Sequence, residues 1–149
     1  MGRHLIAPSC LLLAVAGLTT PTHAQTPEEL AVRRVIEEAY VSGVFVARDS
    51  AAVRRGFHPN FTLAVLQDDR LLVVGLDAWL ARLKLDGRRS TDRVEHIIDR
   101  IDLAGNTAHV TMRMLINGRH TYTDFMGLYR FSEGWRIVNK VFQGHDAGG

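Results

Sequence analysis

Apolar positions recur at a helical spacing early in the chain. Val32, Val35, Ile36, Ala39, Tyr40, Gly43, Val44 and Ala47 share one stripe, with Arg33, Arg34, Glu37 and Glu38 opposite, which predicts an amphipathic helix. Its start is marked by Thr26 as a cap, Pro27 at the first helical position, and Glu28 and Glu29 at the positive end of the dipole. Thr26 and Glu29 also have capping-box spacing. Val41 and Phe45 fall beside the stripe, so the helix is expected to be buried on more than one side. Asp49 or Ser50 can cap a second, shorter helix over 51–57. Pro59 stops it, because the residue before a proline is pushed away from helical angles.

Beyond Pro59 the period changes to that of strands. Residues 61–66 read as a strand, 67–70 as a turn and 71–74 as the returning strand. A third short helix over 77–83, capped by Asp77, precedes a polar loop at 86–90. The remaining third predicts four strands, over 94–103, 107–116, 122–131 and 135–142. Their turns carry Ala104-Gly105-Asn106, Asn117-Gly118 and Ser132-Glu133-Gly134, where Gly and Asn supply the positive backbone angles of tight hairpins. A meander of long strands twists and curls, so helices can pack inside its concave face. The expected class is α+β: a cone-shaped, curled antiparallel (mixed) sheet wrapped around three helices of the N-terminal half. Val110, Met112, Met114 and Ile116 alternate with Thr111 and Arg113, and either face of that strand could be the inner one.

The first residues stand apart from this pattern. Arg3 and His4 precede the apolar run at 11–18, and small residues ending Thr22-His23-Ala24 follow. That order is the layout of a secretory signal cleaved after Ala24, and the run falls short of the ~20 apolar residues that span a bilayer. Cys10 precedes the main apolar run rather than following it, which argues against a lipid-modified cysteine. The expected organisation is a signal peptide over 1–24 and one domain over 25–149, in a periplasmic or secreted protein with no membrane attachment after cleavage. Of 149 residues, removing 24 leaves 125, near the common size of one domain. That part has no cysteine, so it has neither a disulfide nor a thiolate nucleophile. Net charge is +2, and +1 without Arg3. Arginine pairs at 33–34, 54–55 and 88–89 are scattered rather than gathered into a patch, so no nucleic-acid partner is expected. The Gly148-Gly149 end is expected to fray.

The order of helix, short helix, strand pair, third helix and long meander resembles the nuclear transport factor 2-like superfamily, which includes ketosteroid isomerase, polyketide-cyclase-like proteins and scytalone dehydratase. Three stretches, 52–60 (AVRRGFHPN), 76–82 (LDAWLAR) and 122–125 (YTDF) with 134–142 (GWRIVNKVF), are similar to the putative lumazine-binding family within it. Asn60 stands where that resemblance places an aspartate after His-Pro. The resemblance implies the cone fold and a homodimer paired through the outer face of the sheet. It leaves the activity open, because one fold hosts many functions.

Asp124 is the sharpest candidate for chemistry. It lies in a strand between Tyr122 and Met126 on one face, and a carboxylate among apolar neighbours is suited to general acid–base work. The plainer alternatives are that it faces solvent or pairs with a hydroxyl, Lys140 or an arginine. His58, at a helix end before Pro59, could exchange protons near neutral pH. Its alternative is structural, fixing the helix-to-strand corner by a hydrogen bond. Tyr40, Trp79, Tyr122 and Phe125 are candidates to line a ligand pocket, or simply core. No element carries a metal-ligand spacing, no Gly-rich phosphate loop precedes a helix, and there is no Gly-x-Ser-x-Gly elbow. No metal or cofactor is therefore expected. Two functions remain: an exported protein binding a small apolar or aromatic molecule, or a cofactor-independent acid–base enzyme acting on a hydrophobic carbonyl or hydroxyl substrate.

Overall fold

A computed structural model of the protein describes residues 25–145, so the signal segment expected over 1–24 and the Gly148-Gly149 end expected to fray lie outside the described residues. Helix α1 (Pro27–Val35) begins on a complete capping box. The Thr26 side chain accepts from the Glu29 backbone at 3.1 Å, and Glu29 accepts from the Thr26 backbone at 2.7 Å. It continues without a break into a π-helical segment, Ile36–Val46. This departs from the 3.6-residue stripe read in the sequence. A π turn brings residues five apart into line, so Val41 joins Ile36 in the core and the Tyr40 and Phe45 rings meet edge-on at 5.3 Å.

Helix α2 (Ser50–Gly56) is capped by Asp49, whose carboxylate accepts from the Ala51 backbone at 2.8 Å. Gly56 ends it against the π segment, where an added Cβ would stand 2.2 Å from the Ala39 Cβ. Strand β1 (Phe57–Gln67) therefore starts four residues earlier than the sequence pattern predicts. Pro59 falls in an irregular stretch between the pairings of Phe57 and Thr62 with β6, where its missing N–H breaks no ladder. Asp68 and Asp69, both at positive φ (47° and 60°), turn the chain into β2 (Arg70–Gly75). Helix α3 (Leu76–Leu83) has Gly75 at its cap with no side-chain bond. Asp77 is instead in the first turn, paired with Arg54 at 2.7 Å.

Strands β3 (Val94–Ala104), β4 (Thr107–Ile116), β5 (Arg119–Phe131) and β6 (Gly134–Gly144) form the meander. The six-stranded sheet runs β2-β1-β6-β5-β4-β3, antiparallel throughout except for the parallel β1–β6 pair. It is the open mixed sheet of an α+β cone, with the helices in its concave face. Val110, Met112 and Met114 of β4 point inward and are fully buried with Met126 and Leu128 of β5, so the apolar face of that strand is the inner one.

Candidate functional site

One irregularity in β6 sets the site. Trp135 and Ile137 point inward, and strict alternation would then turn Lys140 outward. The register shifts instead: Leu128 faces Ile137 while Gly127 faces Asn139, leaving Val138 as one extra residue. Such a bulge reverses which side chains face in. Lys140 is 5% exposed as a result, and Val141 is turned out at 49%. Gly127 permits the bulge, because its N–H donates to the Asn139 Oδ1 at 3.0 Å, where a Cβ would come within 2.7 Å of that atom.

The inward Lys140 meets two other buried polar groups. Asp124 of β5 is completely buried, and its Oδ2 accepts from the Tyr40 hydroxyl at 2.8 Å. The Lys140 ammonium lies 2.7 Å from the Asp124 Oδ1 and also donates to the Tyr40 hydroxyl. The Oδ1 contact is one of charge: among the described residues this oxygen receives no hydrogen bond of acceptable angle. The ammonium also stands over two rings, 4.4 Å from the Tyr40 centroid and 4.9 Å from that of Phe142. Burial pushes the Lys140 ammonium below the usual lysine range, with the Asp124 charge partly offsetting it. Burial pushes the Tyr40 phenol well above its ordinary value, and the Asp124 charge adds to this.

These groups form the polar end of a cavity of about 140 Å³ that is partly open to solvent. Its walls come from Val44 and Phe45 of the π segment, Leu63 of β1, Trp79 and Leu83 of α3, and Tyr122 and Phe142. The size is informative: an apolar cavity of ~150 Å³ holds benzene, whereas drug-sized ligands need ~300 Å³ or more. A larger concavity, about 470 Å³, lies against Gln67, Asp68, Arg70 and Leu72 at the β1–β2 hairpin. All four of those residues are exposed, so nothing there desolvates a ligand.

Tyr40, Trp79 and Tyr122 all line the smaller cavity, and Asp124 stands behind its polar end. Phe125 does not: it follows Asp124 by one residue, points to the outer face and is 37% exposed. His58 is also elsewhere. Its Nδ1 accepts from the Asn60 backbone at 3.1 Å and its ring stacks on Phe131 at 4.8 Å. Phe131 is seven residues along β5 from Asp124, roughly 20 Å at strand spacing. The sequence offered a hydroxyl or Lys140 as a partner of Asp124, and both pair with it, but Lys140 was not placed in the cavity because strict alternation turns it outward. Among the described residues no three His, Cys, Asp or Glu side chains gather to hold a metal, and no helix is long and apolar enough to cross a membrane.

The cone of helices and curled sheet, with a cavity between them, is that of the nuclear transport factor 2 (NTF2)-like superfamily. Over residues 27–143 the chain matches the family described as putative lumazine-binding, and it belongs to that family. It is similar in structure to an NTF2-like protein of unknown function from Shewanella baltica, at 22% identity and a TM-score of 0.70, covering 83% of this chain and 100% of that one. An NTF2-like protein of unknown function from Methylobacillus flagellatus gives 20% identity and a TM-score of 0.65, covering 83% of this chain and 97% of that one. The CaMKII hub of S. rosetta gives 20% and 0.59, covering 82% and 99%. At such identities the likeness is one of fold. No curated protein matches the sequence.

Proposed function

We propose that the protein is an exported small-molecule-binding protein whose cavity takes one apolar or aromatic ring and meets a polar substituent with Lys140 and Tyr40. The observation that carries this is a buried charged network closing one end of an otherwise apolar cavity of single-ring size. Buried charge is costly unless it is paired, and here it borders a space that a ligand can fill. Export is supported by the basic, apolar and small-residue order of residues 3–24. N-terminal sequencing of protein from the periplasm or medium tests it, and a chain beginning before Gln25 would count against it.

The binding claim is tested by titrating the protein with a panel of single-ring and bicyclic compounds, lumazine among them, while following tryptophan fluorescence. Trp79 lines the cavity, so a bound ring alters its emission. Val44→Trp fills the space and is expected to abolish binding while leaving the fold intact. Binding unaffected by Val44→Trp would place the ligand elsewhere.

The homodimer is part of the same proposal. Val73, Ala64, Val141, Phe125 and Thr111 form one outward row across five strands by register. Val73, Val141 and Phe125 are 62%, 49% and 37% exposed. Sedimentation is expected to give a dimer that Val141→Arg converts to monomer. A wild-type monomer across the micromolar range removes the dimer and leaves the cavity untouched.

A further inference from the structure

Sixteen of the eighteen Lys and Arg residues are arginine, and Lys140 is one of only two lysines. Exposed ion pairs use arginine, as in Arg48–Asp86, Arg54–Asp77 and Arg113–Asp99. At the buried end of the cavity the cation is a primary amine instead. The two cations differ chemically: a guanidinium stays protonated, whereas a desolvated amine can release its proton and attack carbon. A salt bridge alone would not require that property, and arginine would satisfy both carboxylate oxygens at once. Here the Asp124 Oδ1 is left with a charge contact at 2.7 Å and no well-angled hydrogen bond.

We propose that Lys140 captures a small aromatic or apolar aldehyde as an iminium in this cavity, with Asp124 as proton carrier and counter-ion. The inference rests on the cavity being a ligand site and names the chemical class it takes. One ammonium proton passes to the Tyr40 hydroxyl as that hydroxyl hands its own to the Oδ2 of Asp124, and the Nζ lone pair is freed. Nζ then attacks the carbonyl carbon. The new C–N bond displaces the π pair onto oxygen, and a proton moves from nitrogen to that oxygen to give a neutral carbinolamine. Asp124 returns its proton to the hydroxyl, the C–O bond breaks and water leaves. The sum is ammonium plus aldehyde giving iminium plus water, with nothing oxidised or reduced.

Charge is conserved at the site, so the buried carboxylate is never left unpaired. The iminium N–H stays beside Asp124 and over the rings of Tyr40 and Phe142, where the ammonium stood. Tyr40 bridges the amine and the Asp124 Oδ2, which gives the proton a hydrogen-bonded path in both directions. Burial, which pushes the ammonium below its usual range, lowers the cost of the first proton transfer. The Lys140 side chain retains 7% of its surface accessible, and it lines the cavity that an aldehyde's ring would enter.

The test is reductive trapping with benzaldehyde and cyanoborohydride, followed by intact mass and peptide mapping. Exposed Lys84 serves as the reference amine. One benzyl group is expected on Lys140, forming on the order of tenfold or more faster than on Lys84 because the bound aldehyde is held at the amine. Benzyl alcohol, of the same shape but unable to form an iminium, is expected to bind and to slow trapping. Lys140→Arg is expected to lose the adduct at that position, because a guanidinium stays protonated. Modification of Lys84 at an equal or greater rate, or no adduct on Lys140, overturns the capture. If benzyl alcohol still binds in that case, the cavity stands as a ligand site. If neither compound binds, both readings fall. Mapping of the wild-type adduct decides the matter even if the variant does not fold.

Discussion

Asp124→Asn changes one oxygen to nitrogen and keeps an acceptor for the Tyr40 hydroxyl, yet it strands the Lys140 charge in a site where that side chain is 7% exposed. Breaking a buried pair by removing one partner costs about 3–5 kcal/mol. An independent route bounds the same figure. The folded variant can escape the stranded charge by releasing the Lys140 proton, and from an ordinary value of 10.5 that costs about 5 kcal/mol at pH 7, at about 1.4 kcal/mol per pH unit. The two routes agree, so the variant is expected to fold with a neutral Lys140 and to lose about 3–5 kcal/mol at pH 7. The pH dependence then has a definite sign. Below 10.5 the unfolded variant carries one more proton than the folded one, so its stability rises with pH by about 1.4 kcal/mol per unit. The wild-type ammonium remains paired and shows little of this slope. Urea unfolding of both proteins at pH 7, 8 and 9 measures the difference. A loss below about 1 kcal/mol, unchanged across that range, would mean that Lys140 is neither desolvated nor held by Asp124.

Other perturbations follow from the same geometry. Tyr40→Phe removes a hydrogen bond to a charged acceptor and is expected to cost about 1.5–3 kcal/mol. Because the folded-state value of Tyr40 is raised above 10.0, its contribution is complete below pH 10 and is lost as pH rises through the raised value. Wild-type stability should therefore fall above pH 10, where the opposite-signed Lys140 contribution is ending, and Tyr40→Phe should flatten that fall in alkaline unfolding curves. In a phenolate absorbance titration of Tyr40→Phe against wild type, the phenol lost in the variant is expected to be one that ionises only on unfolding; loss of a native transition would contradict the burial of Tyr40. Gly56→Ala drives a Cβ to within 2.2 Å of the Ala39 Cβ and is expected to cost about 1–3 kcal/mol by overpacking. Adding Ala39→Gly should recover part of that loss, and a purely additive double variant would show that the two helices do not touch there.

Much of the fold was legible because its signals are local. The Thr26–Glu29 box, the Asn117-Gly118 hairpin and the alternation of β4 each depend on neighbours in sequence, and each stands in the structure. The errors came from long-range contacts. Burial of Val41, expected beside the main stripe, is reached through a widened turn over Ile36–Val46 that the 3.6-residue count did not specify. Gly56 closes α2 because Ala39 lies against it, so β1 begins before Pro59 rather than after it. At the site, Asp124 could be placed on a face with Tyr122 and Met126, but its partners lie 84 and 16 residues away in sequence, at Tyr40 and Lys140. Lys140 was named as a possible partner of Asp124, but its place in the cavity was hidden by the extra residue Val138, which reverses the alternation of β6 and becomes visible only when Gly127 and Asn139 are seen to meet. Phe125 was misplaced for a simpler reason: next to an inward residue in a strand, it must face out.

The central claim, that a ligand in the cavity meets Lys140, can be read from two resonances. Lysine labelled with ¹³C at Cε gives one signal from Lys140 and one from Lys84, since the chain has no others. Titration with benzyl alcohol is predicted to move the Lys140 signal saturably and leave Lys84 in place, with Val44→Trp abolishing the shift. A Lys140 signal that stays still while tryptophan fluorescence reports binding, or that moves equally in Val44→Trp, would contradict the account.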